Sequence, residues 1–203
     1  MLTFFSGFSL GLSLILAIGS QNAFVLKQGI KNHYLFFVCL ICSISDAILI
    51  ALGVTGFGVI VKEIPSIEII ARYGGASFLF IYSLISFKSA LSENHYLKPE
   101  GSSNKSLSKT VIICLAFTWL NPHVYLDTVI LLGSISSQYQ PYEFVFGLGA
   151  ITASFIFFFI LGYGAKVLAP IFSNPFAWKI LEFIIGIVML SIAILLIRGV
   201  QST

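Results

Sequence analysis

The chain alternates long apolar runs with short polar connections, and the length of each run matches one crossing of a membrane. A spanning helix needs about 20 mostly apolar residues, because about 30 Å of hydrocarbon is crossed at about 1.5 Å per residue. Six segments meet this requirement, near residues 2–25, 34–57, 68–88, 109–133, 143–165 and 177–198. The pattern therefore predicts an all-α, polytopic membrane protein with six transmembrane helices.

Composition supports this class and excludes others. Only 9% of the 203 residues are charged and 58% are hydrophobic, whereas about a quarter of a soluble domain is charged. The net charge of +3 is scattered, which excludes a nucleic-acid-binding module, and the three cysteines lie in apolar runs, which excludes a disulfide scaffold. No set of histidines, cysteines or carboxylates has metal-ligand spacing. We expect neither a metal nor a cofactor, and surrounding lipid instead of nucleic acid.

One polar stretch divides the chain into two halves of three helices each. Residues 89–108 are rich in Ser, Asn, Gly and charged residues, which predicts a flexible linker between residues 1–88 and 109–203 of a single membrane domain. Because each half holds an odd number of helices, a fold shared by the halves must be inverted in the second. The interpretation is therefore two inverted three-helix repeats.

Weak self-similarity agrees with inverted repeats. GSQN (19–22) interrupts helix one and LNPH (120–123) interrupts helix four, while LGVTG (52–56) ends helix two as LGYGA (161–165) ends helix five. Paired, interrupted helices in opposite halves indicate a transporter's binding site.

Both interruptions predict a broken helix whose second part begins inside the membrane. Pro122 lacks an N–H, which predicts a break with Asn121 as N-cap and Pro122 at the first helical position. The sequence Gly19-Ser20-Gln21-Asn22 offers a similar start. Two half-helix N-termini would then present N–H groups suited to a carboxylate. The alternative is an ordinary kink in which these side chains satisfy the local backbone.

Two acidic residues lie in the middle of predicted helices. Asp46 is central in helix two, and Asp127 follows Asn121 by six residues. An ionised Asp at the bilayer centre costs at least about 2.5–3.5 kcal/mol, and no Lys or Arg lies deep enough to be an obvious permanent partner. We therefore expect both acids to await a proton or a cationic ligand, with His123, four residues before Asp127, as a candidate proton relay.

Less functional interpretations of the same residues remain open. Asp127 can lie in interfacial water, and Asp46 can be held neutral by Ser43 and Ser45. Trp119 and Tyr125 flank the second break, where they can stack on a ligand's cation or line a wall. The candidate translocation site therefore comprises Gly19, Ser20, Gln21, Asn22, Ser45, Asp46, Trp119, Asn121, Pro122, Tyr125 and Asp127.

The basic residues predict the orientation of the chain. Eight are predicted to lie in the loops after helices one, three and five, and three on the other side. The first group is Lys27, Lys31, Lys88, Lys98, Lys105, Lys109, Lys166 and Lys179; the second is Lys62, Arg72 and Arg198. By the positive-inside rule the first side is cytoplasmic, and both termini lie outside.

Three segments together resemble the LysE family of amino-acid exporters, and look closest to its lysine/arginine branch. These are GSQNAFVLKQGI (19–30), SDAILIALG (45–53) and TWLNPHVYLDT (118–128). The chain departs from the family at Ser20, where the first motif usually carries proline. The resemblance covers essentially the whole chain and implies secondary export of basic amino acids from the bacterial cytoplasm across the inner membrane. It also implies a translocation site that contains Gln21, Asn22, Asp46, Asn121, Pro122 and Asp127.

The residues suggest a coupling that fits this cargo. Moving a +1 solute out against 100 mV, inside negative, costs about 2.3 kcal/mol, whereas exchange for one entering proton is electroneutral. We therefore expect proton-coupled antiport by alternating access, with no enzymatic activity. The alternatives are an exporter of neutral amino acids such as homoserine or threonine, and a channel. Small-residue pairs, Gly7 with Gly11 and Gly149 with Ala153 among them, predict helix contacts and permit a homodimer.

Overall fold

The described part of the chain is helical throughout. The computed structural model describes residues 1–16, 19–56, 65–91, 106–121, 124–172 and 174–198, without the side chains of residues 65–72 and 172. Its α-helices are α1 (Leu2–Ile15), α2 (Ser20–Lys31), α3 (Leu35–Val54), α4 (Pro65–Leu91), α5 (Leu107–Trp119), α6 (Leu132–Ser136), α7 (Glu143–Val167), α8 (Ala169–Phe172) and α9 (Pro175–Arg198). A π-helix (Tyr125–Leu131) precedes α6, and a 3-10 turn (Ser137–Tyr139) follows it. The all-α prediction is confirmed.

In the described part of the chain, four helices are long and apolar enough to cross a membrane. They are α3, α7, α9 and the part of α4 from Tyr73 to Leu91. The bent pair α1–α2, whose axes differ by 82°, makes a fifth span if it is counted as one. The predicted fourth span, 109–133, is divided in the structure between the 13-residue α5 and the π-helix with α6. The chain is thus an integral membrane protein, and six spans stay a prediction.

The first predicted helix is divided where its sequence is interrupted, and its second part is longer than predicted. α1 ends at Ile15, and α2 begins after Gly19, whose extended backbone (φ −112°, ψ 176°) forms the N-cap. α2 runs to Lys31 and ends at Asn32, which adopts the left-handed conformation (φ 49°) that Asn tolerates better than most residues. The prediction that Lys27 lies in a connecting loop is therefore wrong, because Lys27 is buried inside α2.

Glycines bring α1 and α7 into backbone contact. A Cβ atom on Gly11 would lie 2.8 Å from the Cα of Ala150, and one on Gly149 would meet the backbone of Phe4 and Phe8. The small-residue pairs of these two helices therefore pack them against each other within one chain, as close backbone approach in membranes requires.

The other contacts place α3 in the middle of the bundle. α3 packs against α5, the π-helix, α6 and α7, while α4 packs mainly on α9. Large apolar side chains such as Ile44, Ile48 and Leu195 are exposed on the outside of the bundle. An apolar exterior of this kind suits lipid, which does not hydrogen-bond to side chains.

The α1–α7 contact makes a stability prediction. Gly149→Ala should lower the stability of the protein by about 1–3 kcal/mol, because the added methyl group meets the α1 backbone and the two helices must separate. The measurement is the thermal unfolding midpoint of the detergent-solubilised protein.

The matched control is Gly164→Ala, also in α7, where an added Cβ would meet no atom within 4 Å. This variant should keep the midpoint or raise it slightly, because Ala favours helix more than Gly does. Equal midpoints for the two variants would contradict the packing argument.

Candidate functional site

The two interrupted regions, the buried Asp46 and the half-buried Asp127 meet at one cavity. It has a volume of about 280 Å³ and lies between the start of α2, the middle of α3 and the break after α5. Its lining residues are Leu14, Ile15, Gly19, Gln21, Asn22, Asp46, Asn121, Val124, Asp127, Thr128, Phe158 and Ile192. The volume is close to the lower end of ordinary ligand pockets, about 300 Å³, and therefore suits a small solute.

Asp46 is the most deeply buried acid of this cavity. Only 3% of its surface is exposed, and its Oδ2 accepts a hydrogen bond of 3.0 Å from the Ser154 hydroxyl of α7. Its Oδ1 has no hydrogen-bond partner among the described residues. A buried acceptor in this state costs free energy until a donor or a cation reaches it.

The start of α2 adds donors to the same cavity. The amide Nε2 of Gln21 is buried and makes no hydrogen bond within the described part of the chain. The first N–H groups of a helix have no partner within the helix, and Gly19, as N-cap, has no side chain that could cap them. Acceptors and donors with unmet hydrogen-bonding capacity therefore face one space.

Asn22 has a structural task as well as a place at the cavity. Its amide Nδ2 donates a hydrogen bond of 2.8 Å to the backbone oxygen of Ile15, the last residue of α1. The side chain thereby satisfies a carbonyl that the break would leave without a helical partner. For Asn22, the alternative interpretation is therefore correct: its side chain forms a hydrogen bond with the local backbone at the break.

Aromatic residues fasten the second break to its surroundings. The Tyr125 hydroxyl donates a hydrogen bond of 2.8 Å to the backbone oxygen of Trp119, the last residue of α5. The Trp119 indole in turn donates to the Ser45 hydroxyl of α3 at 3.3 Å. These three residues lie outside the cavity lining and position the chain around it, whereas ligand stacking was one of the sequence-based interpretations.

Asp127 reaches the cavity from an element that the sequence did not predict. It lies in the π-helix, next to Thr128, whose hydroxyl donates 2.6 Å to the oxygen of Val124. In a π-helix each N–H bonds to the carbonyl five positions back in the sequence instead of four, and such turns occur often at functional sites. The widened turn brings the half-buried Asp127 to the cavity that Asp46 lines.

The structure thus brings six of the eleven predicted site residues to one cavity. Gly19, Gln21, Asn22, Asp46, Asn121 and Asp127 line the cavity. Ser20 is buried and lies outside the lining, and its hydroxyl has no partner among the described residues. Pro122 and His123 fall outside the described residues, so their predicted roles at the break and in proton relay stay predictions.

Two features of the site were missed. Ser154 was not singled out, although the offset of 109 residues that aligns LGVTG with LGYGA also aligns Ser45 with Ser154. Apolar walls from Leu14, Phe158 and Ile192 carried no signal, because any residue of a spanning helix can be apolar.

Comparisons with known proteins agree over nearly the whole chain. A family described as LysE type translocator matches residues 12–199. The arginine exporter protein ArgO of Salmonella enteritidis is 40% identical over 197 residues, covering 96% of this chain and 93% of the relative. A protein of Mycobacterium tuberculosis named "Putative amino-acid transporter" is 40% identical over 186 residues, 92% of each chain. No solved structure matches.

The hydrogen bond at the second break makes a stability prediction. Tyr125→Phe should destabilise the protein by about 1–3 kcal/mol, since it leaves the Trp119 carbonyl without its donor in a water-poor region. Chemical or thermal unfolding in detergent measures this loss. The control is Tyr163→Phe, which removes a hydroxyl from an exposed tyrosine of α7 and should change little; a Tyr125→Phe variant as stable as this control would contradict the structural role.

Proposed function

This chain belongs to the LysE family of translocators, and we propose that it exports basic amino acids, arginine or lysine, from the bacterial cytoplasm across the inner membrane. Two lines of support meet here. Its 40%-identical Salmonella relative is named an arginine exporter, and its own cavity has the charges that such a cargo needs.

The single observation that carries the proposal is the composition of this cavity. It joins two carboxylates, of Asp46 and Asp127, to the uncapped start of α2 and the buried Gln21 amide. A basic amino acid carries one carboxylate and two cationic groups. Helix N-termini suit the carboxylate, and the two acids suit the ammonium and the side-chain cation.

The second acid favours a basic cargo over a neutral one. A neutral amino acid such as threonine brings one cationic group to the cavity, whereas arginine and lysine bring two, one for each of the carboxylates of Asp46 and Asp127 that line it. Export of neutral amino acids is the alternative, and stronger competition by threonine than by arginine would support it.

Inverted repeats would give the cavity alternating access. Let the bent pair α1–α2 correspond to α5 with the π-helix, α3 to α7, and α4 to α9. The observed contacts agree with this correspondence. The first span, α1–α2, packs on α7 of the second half, and the equivalent fourth span, α5 with the π-helix, packs on α3 of the first half. The α3–α7 and α4–α9 contacts each join two equivalent helices. This pattern supports six spans in two inverted repeats that rock around a central site.

The orientation remains as the basic residues predict it. With Lys27 removed from the loop count, seven basic residues still fall on the side where α2 ends and three on the other. This side is cytoplasmic in our proposal, and both termini lie outside.

Proton exchange would supply the driving force. Export of a +1 cargo alone works against an inside-negative potential, whereas exchange for one proton moves no net charge. The carboxylates that bind the cation can carry the returning proton, because a protonated acid is the cheaper state of Asp46 when no cation is present.

Cargo class is tested by competition in counterflow with purified protein in proteoliposomes. Arginine and lysine should compete strongly with labelled arginine, and threonine and leucine weakly, because only the first two match both acids. Asp46→Asn should weaken the competition by arginine at least about 30-fold, the equivalent of about 2 kcal/mol for one partner of a buried charge pair.

Glu143→Gln is the matched control, because Glu143 is an acid of α7 outside the cavity lining. It should compete like the wild type. Threonine as the stronger competitor, with Asp46→Asn still binding it, would overturn the basic cargo in favour of the neutral one.

Coupling is tested by an imposed pH gradient. Efflux of labelled arginine from proteoliposomes should accelerate when the outside is more acidic than the lumen, and Asp46→Asn and Asp127→Asn should each lose the acceleration. Glu143→Gln should keep it. Export that continues unchanged after both the pH and voltage gradients are collapsed would rule out proton antiport.

A further inference from the structure

A buried ion pair joins α2 to α9 beyond the cavity. The ammonium of Lys27 lies 2.7 Å from Oε2 of Glu182, and the side chains are 9% and 1% exposed. Lys27 follows the cavity residue Gln21 by six positions, which is about 9 Å along a helix. The pair therefore lies on the side of the cavity where α2 ends.

Two aromatic rings complete this contact. The Lys27 ammonium lies 5.4 Å from the ring centre of Tyr82 in α4, and the Lys31 ammonium lies 4.8 Å from the ring of Trp178 in α9. Lys31 is one turn beyond Lys27, and Trp178 is one turn before Glu182, so the two antiparallel helices are joined at two successive turns. The ion pair thus holds α2, from the first half, to α4 and α9.

Stability alone does not account for a charge pair at this place. Taking two charges out of water is costly, and apolar residues of similar volume often serve stability as well or better. A buried pair does fix one register strongly, and it can separate when water or another ion reaches both charges. Those properties suit a contact that closes and opens.

We propose that Lys27 and Glu182 form the gate of the transport pathway on the side where α2 ends. With the pair formed, α2 lies against α9 and Tyr82 and separates the cavity from that side. When the pair breaks, α9 and α4, which pack mainly on each other, can move away from α2, which the close backbone contact of Gly29 with Gly162 holds against α7, and the cavity opens. This inference rests on the proposed function for its pathway, since a gate needs a solute to pass.

The test measures access to the cavity without any cargo. A reporter cysteine, Val124→Cys, lies in the cavity lining and is labelled with a membrane-impermeant, cationic methanethiosulfonate. Labelling of the reporter-free protein is subtracted, because three buried cysteines are native. Vesicles of both orientations show from which side the reagent enters.

The informative variant is the neutral double substitution Lys27→Met with Glu182→Gln, which leaves no unpaired buried charge and should therefore fold. We expect the labelling rate from the α2 side to rise about tenfold, as the open state gains population, with no rise from the other side. The charge exchange Lys27→Glu with Glu182→Lys should return the rate towards the wild-type value.

Lys166→Met, at an exposed lysine at the end of α7, is the control and should label like the wild type. A folded neutral variant with an unchanged labelling rate overturns the gate, whatever the exchanged variant does. Because no cargo is present, failed competition assays beside the expected labelling would overturn only the proposed cargo.

Discussion

Hydrocarbon contains no water to satisfy a backbone group, so a helix can be interrupted inside a membrane only where the protein itself supplies partners. This constraint explains both breaks. At the first, the Asn22 amide donates to the Ile15 carbonyl; at the second, the Tyr125 hydroxyl donates to the Trp119 carbonyl. Gln21, Asn121 and Asp127 line the cavity between the breaks, which is why the interruptions and the candidate site coincide.

The buried acids illustrate two solutions to the same electrostatic problem. Glu182 has a cation of the protein itself, Lys27, at 2.7 Å. Among the described residues, Asp46 accepts a hydrogen bond from the neutral hydroxyl of Ser154 on one oxygen and none on the other. A pair within the protein is suited to joining two helices and separating again, while an acid that has no cation among the described residues is suited to receiving one. Position relative to the cavity separates the two roles.

Residues that are unusual in an apolar helix could be predicted from the sequence, whereas features built from ordinary residue types could not. Asp46 was found because a charge in an apolar run is costly, and the break at Gly19 because its residues disfavour a continuous helix. Lys27 was misassigned, since a lysine after an apolar run resembles a loop residue and only its distant partner reveals burial. The π-helix was not predicted, because its i→i+5 hydrogen bonds require no particular residue type that the sequence would reveal.

The glycine contact between α1 and α7 limits how the protein can move. Where Gly11 meets Ala150 there are no long side chains whose rotamers could adjust, so sliding one helix past the other would drive methyl groups into main-chain atoms. The two helices therefore cannot slide past each other and move together as one rigid body. Conformational change is therefore expected to come from rotation at the breaks after α1 and α5.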